Sequence, residues 1–261
     1  MVLSALRGAC GFLTRIPIGG DAADWRAFTA SPWTLPVIGT VIGLVFTLPV
    51  VVGQSVGAPL LGSVAMLGCW VGLLGITHLD GAADLADAAV VHGDVDDRVV
   101  ALKDSAVGVG GVAALVIGLV GTALAVASLA TAAASSLQIV AVVVGAEVGA
   151  KTAMAVVACG FDARHEGLGS QLTDWNGPGD LLPVGLVVVA VVLTLGAPAP
   201  RLLPAVLVAC LGAVMVGVYV ATRANSLLSG VNGDVFGAVD VAARLGGLVV
   251  GAALLVLGGV A

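Results

Sequence analysis

Long runs of Val, Ala, Leu and Gly alternate with short polar stretches along this chain. The apolar runs fall at about 33–52, 60–77, 107–130, 137–158, 181–195, 203–221 and 245–260. As helices, most of them are long enough to cross a hydrocarbon core of ~30 Å. The run at 181–195 is short, so the expected count is seven spans, within a range of six to eight. No barrel-like alternation of polar and apolar residues is present, so helices must satisfy the backbone in lipid. The expected fold class is all-α: a polytopic membrane helix bundle, with residues 1–261 as one integral membrane domain. Residues 1–32 are mixed. Leu3, Leu6, Phe12 and Leu13 with Arg7 and Arg15 predict a short amphipathic helix at the membrane surface, broken by Pro17, Gly19 and Gly20.

Composition supports the membrane reading. The chain is 59% hydrophobic and 10% charged, with a mean hydropathy of +1.16, whereas a soluble domain carries roughly 25% charged residues. Its 38 glycines suit close helix–helix approach in lipid. Cys10, Cys69, Cys159 and Cys210 are scattered without metal-ligand spacing and read as small buried hydrophobes. The N-terminus has no apolar run followed by a cleavage site, so it is expected to be retained. A net charge of −6 argues against nucleic acid as a partner.

The polar residues sort by face. With seven spans, Arg7, Arg15, Arg26, Arg98, Lys103, Arg164, Arg223 and Arg244 fall on one side and Arg201 on the other. The positive-inside rule makes the first side cytoplasmic. The carboxylates gather on that side too, in the loops 78–105, 160–180 and 222–243, which are expected to carry the active site, while the opposite turns carry none. A transporter would more often place polar groups at mid-membrane and use both faces.

The strongest chemical signal is His78-Leu79-Asp80-Gly81-Ala82-Ala83-Asp84-Leu85-Ala86-Asp87. On a helix, Asp80, Asp84 and Asp87 share one face. Three close carboxylates call for a hard divalent cation, Mg²⁺ or Mn²⁺, and for metal-assisted transfer at a phosphate. The alternative is a solvated polar face at a helix end. His78 reads equally as a general base or metal ligand and as an interfacial cap. Lys103-Asp104-Ser105 ahead of Gly108, Gly110 and Gly111 reads either as an anion site or as a helix cap. Glu147 and Lys151, four apart inside a span, are expected to neutralise one another. The loops Arg164-His165-Glu166-Gly167-Leu168-Gly169-Ser170 and Asn232-Gly233-Asp234-Val235-Phe236-Gly237-Ala238 should face the Asp cluster and help to recognise a polar ligand.

Several segments in order resemble the adenosylcobinamide-GDP ribazoletransferase (cobalamin synthase) family. They are Phe12-Leu13-Thr14-Arg15-Ile16-Pro17, then Pro36-Val37-Ile38-Gly39 with Gly43, and the His78–Asp87 block. Lys103-Asp104-Ser105 with Gly108 follows, then Arg164-x-Glu166-Gly167-Leu168-Gly169, and last Gly233-Asp234-x-x-Gly237-Ala238. The resemblance covers nearly the whole chain. It departs from the family pattern at Leu85 and Ala88, where Thr and Gly are usual, and at Asp240-Val241, where an Asn-Glu pair is usual.

The resemblance implies a Mg²⁺-dependent membrane enzyme of the last steps of cobalamin biosynthesis. It would join adenosylcobinamide-GDP to α-ribazole, or its 5′-phosphate, and release GMP. Asp80, Asp84, Asp87 and His78 are the expected catalytic residues, with Asp80, Asp84, Asp87 and Asp104 as metal ligands. Lys103, Ser105, Arg164, Glu166, Asn232 and Asp234 are expected to bind substrate. The expected setting is the cell membrane, multi-pass, with the site facing the cytoplasm. A homo-oligomer or other cobalamin-assembly enzymes are the further partners to expect. The rivals are a CDP-alcohol phosphotransferase of phospholipid synthesis, whose aspartate motif the His78–Asp87 block matches in part, and, less favoured, a small-molecule transporter.

Overall fold

The computed structural model describes residues 1–200 and 202–258. Arg201, expected on the opposite face, and Val260, the expected end of the last span, lie outside the described residues. The N-terminal pair α1 (Val2–Leu13) and α2 (Ala22–Thr29) is separated at Pro17–Gly20, as the sequence predicts. Asp21 starts α2 by accepting from the amides of Ala23 and Asp24 at 2.8 and 2.9 Å. There follow α3 (Thr34–Ser55), α4 (Pro59–Leu74), α5 (Thr77–Val90), α6 (Val95–Leu102), α7 (Val109–Ala132), α8 (Ser136–Gly160) and α9 (Leu168–Thr173). A 3-10 turn (Pro178–Asp180) leads into α10 (Leu181–Gly196), α11 (Leu202–Leu228) and α12 (Gly233–Gly258).

Among the described residues, six helices are long and apolar enough to cross a membrane, and α4 with α5 makes a seventh if the bent pair counts as one. The chain is a multi-pass membrane protein. Helix α8 is its axis: 83% of its most apolar window is buried, against 17% for the span ending in α10. Small residues let neighbours reach its backbone. A Cβ on Gly43 of α3 would lie 2.8 Å from Val144 Cα, and one on Gly145 would lie 2.8 Å from the Val206 carbonyl of α11.

Three expectations need correction. The run 60–77 is not one continuous helix. Helix α4 stops at Leu74, Gly75 takes φ +76°, and α5 leaves at 97° to α4. Four ionisable side chains in 14 residues mark α5 as the polar arm of this bent pair, at the edge of the apolar runs. The polar stretch 78–105 holds helices α5 and α6. Residues 222–243, expected as a loop, are helical except at 229–232. Asp240 and Arg244 therefore lie inside α12, both at 0% exposure, and not on the polar face. They tolerate burial because they meet opposite charges. Arg244 Nη2 donates to Glu147 at 3.1 Å and to Asp240 at 3.0 Å, and its Nε also pairs with Glu147. Lys151 pairs with Asp240 and, at 3.3 Å, with Glu147. The predicted Glu147–Lys151 pair is thus half of a buried quartet joining α8 to α12. The Arg244 guanidinium also sits 4.2 Å from the Trp70 ring centroid of α4.

Candidate active site

Helix α5 buries Leu79, Gly81, Ala82, Ala83, Leu85 and Ala88, while Asp80 is exposed and Asp84 and Asp87 are half-buried. That division follows from the 3.6-residue period, which places the three carboxylates within about 60° of arc. The apolar side packs on α7 and on the start of α12. A Cβ on Gly81 would lie 2.8 Å from Asp234 Cα, and one on Gly237 would lie 3.0 Å from His78 Cα. Two glycines, one on each helix, bring α5 and α12 to backbone contact. Asp234 is thereby set beside Asp80 and Asp84.

The two glycine-containing loops meet at the same end. Ala163 and Val231 form a single parallel bridge, through Arg164 N–H to the Val231 carbonyl and Val231 N–H to the Asp162 carbonyl, both 3.0 Å. A Cβ on Gly169 would lie 2.8 Å from Asn232 Cα. Asn232 then does two jobs. Its Oδ1 accepts the Val235 amide at the start of α12, and its Nδ2 donates to Asp234 at 2.8 Å. Arg164 donates to the Leu228 carbonyl and, at 3.3 Å, to Asp96, so it braces its loop. Lys103, Asp104, Ser105 and Glu166 are exposed. Asp104 accepts the Ala106 amide at 2.9 Å within its own turn.

Asp87 has a different post from Asp80 and Asp84. Its carboxylate accepts the amides of Gly108 at 2.7 Å and Gly111 at 2.9 Å. The glycine-rich start of α7 does hold an anion, and the anion is this side chain. Both oxygens are engaged in holding α5 against α7, which leaves Asp80, Asp84 and Asp234 as the carboxylates without such a post. Asp87→Ala is expected to lower stability by about 1 kcal/mol, within the 0.5–2 kcal/mol range of helix-cap losses. The thermal midpoint in detergent, with the response to Mg²⁺ unchanged, checks this.

Electrostatics mark Asp84 as the centre of the cluster. Burial, and then the carboxylates of Asp80, Asp234 and Asp87, push it up to about 6. Among the described residues no Lys or Arg forms an ion pair with Asp80, Asp84 or Asp234. Nor are any three His, Cys, Asp or Glu side chains among the described residues grouped so that they could hold a metal ion together. Two carboxylates would suffice for a cation such as Mg²⁺, which completes its octahedron with water and substrate phosphate. Uncompensated like charges on an open-sided arc are the observation that fits such a cation. A cavity of about 440 Å³ between α1 and α2 opens at this end, lined by Phe12, Trp25 and Leu168 among others.

His78 turns away from the Asp face. At 100° per residue it sits about 160° around α5 from Asp80, and its Nδ1 lies 2.8 Å from Asp240 Oδ2. The Asp240–Arg244 half of the quartet escapes a reading of the sequence that takes polar residues as loop. The signal was present: an acid and a base four apart in α12 mirror Glu147 and Lys151 in α8.

Comparison with known proteins gives consistent relatives. A family model described as cobalamin-5-phosphate synthase matches residues 5–252. The chain is 45% identical over 255 residues to an adenosylcobinamide-GDP ribazoletransferase of Halorubrum lacusprofundi, covering 95% of this chain and 96% of that protein. It is 41% identical over 246 residues to one of Haloquadratum walsbyi, covering 94% and 95%. No solved structure matches.

Proposed function

Since the chain belongs to the cobalamin-5-phosphate synthase family, an enzyme family of cobalamin biosynthesis, we propose that it joins adenosylcobinamide-GDP to α-ribazole or its 5′-phosphate. A free ribose hydroxyl of the acceptor bonds to the cobinamide-linked phosphorus, the bond from that phosphorus to the bridging oxygen breaks, and GMP leaves with that oxygen; a 5′-phosphate on the acceptor is carried through unchanged, in keeping with the family's description. The hydroxyl proton passes to solvent. The observation that carries this reading is the convergence of Asp80, Asp84 and Asp234, with no Lys or Arg ion pair to them among the described residues, at the meeting point of α5, α12 and the two glycine loops. Asp84 with Asp80 or Asp234 would hold a divalent cation. When bound, Mg²⁺, with Mn²⁺ as the alternative, supplies charge neutralisation on the diphosphate and eases departure of GMP.

The remaining residues bind and orient. Lys103 and Ser105, exposed on the turn between α6 and α7, offer a cation and a hydroxyl to phosphate oxygens. Asn232 holds Asp234 in one rotamer, and Arg164 keeps the loop carrying Glu166 in place. Arg7, Arg15, Arg26, Arg98, Lys103 and Arg164 stand in the segments at this end of the bundle, which supports a cell-membrane enzyme whose site faces the cytoplasm. Purified protein in detergent is expected to release GMP only with adenosylcobinamide-GDP, an α-ribazole acceptor and Mg²⁺ together. Folded protein that releases none with either acceptor would overturn the reading, and a CDP-linked alcohol would be the next substrate to try.

A further inference from the structure

The quartet of Glu147, Lys151, Asp240 and Arg244 has two carboxylates and two cations, all at 0–1% exposure. It balances internally, with one member left reaching out: Asp240 Oδ2 also meets His78 Nδ1 at 2.8 Å. Lys151 and Arg244 hold Asp240 as a carboxylate, which can only accept. The Nδ1 of His78 therefore carries the proton and donates it. The ring keeps 13% of its side chain exposed, and it stands in the first turn of α5, two residues before Asp80. Asp240 lies about 10 Å along α12 from Gly233, at 1.5 Å per residue. The bond thus reaches from the buried quartet to the helix carrying the carboxylate cluster.

We propose that His78 is a positioning residue. Its Nδ1–H tie to Asp240 pins the first turn of α5 to the bundle and so sets Asp80 and Asp84 against Asp234. The proposal rests on the metal-dependent transferase reading above. The direction of the ring favours it over a role in proton transfer: His78 sits about 160° around the helix from Asp80 and about 120° from Asp84. A general base for the acceptor would be expected on the Asp face.

The test compares His78→Asn, whose Nδ2–H occupies nearly the place of the imidazole Nδ1–H, with His78→Ala, which has no donor. Each is assayed beside the parent for GMP release across a Mg²⁺ titration and for the thermal midpoint of metal-free protein. His78→Asn is expected to keep GMP release within about threefold of the parent, with the same half-activating Mg²⁺ concentration and thermal midpoint. His78→Ala is expected to need about tenfold more Mg²⁺ and to melt earlier, consistent with losing a tie that orients metal ligands. If His78→Ala does not fold, the comparison of His78→Asn with the parent decides alone. An Asn variant that is folded but inactive, or an Ala variant with unchanged Mg²⁺ requirement and midpoint, would overturn the proposal while the parent's activity stands. A parent that releases no GMP would sink the functional reading and this inference with it.

Discussion

Asp84→Asn is expected to lower GMP release by about 100-fold or more, since a lost metal contact removes several kcal/mol of transition-state stabilisation and each 1.36 kcal/mol is tenfold. The same change should leave the metal-free protein at least as heat-stable as the parent. Asp84 is pushed up to about 6 by burial and by neighbouring carboxylates. Its charged form is therefore disfavoured in the folded protein. An acid whose pKa rises on folding contributes stability that is present below its unfolded value and is lost as pH rises through the folded one. Between about pH 4 and 6 the parent should lose stability that the Asn variant keeps, and at pH 7.5 the variant should melt at the same temperature or higher. Added Mg²⁺ should raise the midpoint of the parent but not of the variant. Below about pH 6 a proton competes with the cation, so the half-activating Mg²⁺ concentration of the parent should climb roughly tenfold per pH unit. An inactive variant that had also lost stability would point to a structural carboxylate instead.

Arg244→Met is expected to cost about 3–5 kcal/mol, the usual loss when one partner of a buried ion pair is removed. The guanidinium makes hydrogen bonds to both Glu147 and Asp240 and stacks on Trp70. Without it, two carboxylates share one lysine in the middle of the bundle. A second change, Glu147→Gln, leaves Lys151 with Asp240 and is expected to recover a large part of the loss. Thermal unfolding of the two single variants and the double variant forms a cycle whose coupling should exceed about 1 kcal/mol. If the losses simply add, the quartet is not acting as a unit.

Much of this was legible along the chain, and what escaped has physical reasons. Apolar runs placed most of the long helices to within a few residues, because in lipid every backbone amide must pair within its own segment; α11 runs seven residues past its apolar run and α12 starts twelve residues before its own. The i, i+4, i+7 spacing put Asp80, Asp84 and Asp87 on one face, and the two glycine loops do meet beside them. The break at Gly75 was invisible because nothing separates a glycine at φ +76° from the many glycines that serve only as packing contacts. The role of Asp87 depends on a partner 21 residues away: its motif and the glycine-rich start of α7 were each conspicuous, but their pairing is tertiary. Asp240 and Arg244 misled because a charge inside a run of Val and Ala looks like a turn in water. Only the opposite charges across α8 make it interior.

The parity of that quartet constrains how the protein can change over generations. A single charge-removing substitution at Glu147, Lys151, Asp240 or Arg244 leaves an odd charge buried in the centre of the bundle. Drift at these positions is therefore blocked one step at a time and open only to paired exchanges, such as an acid and a base lost together. Through the His78 tie, any such exchange involving Asp240 also reaches the helix that carries the carboxylates. Inheritance should therefore treat the membrane interior and the chemistry at its edge as one linked trait.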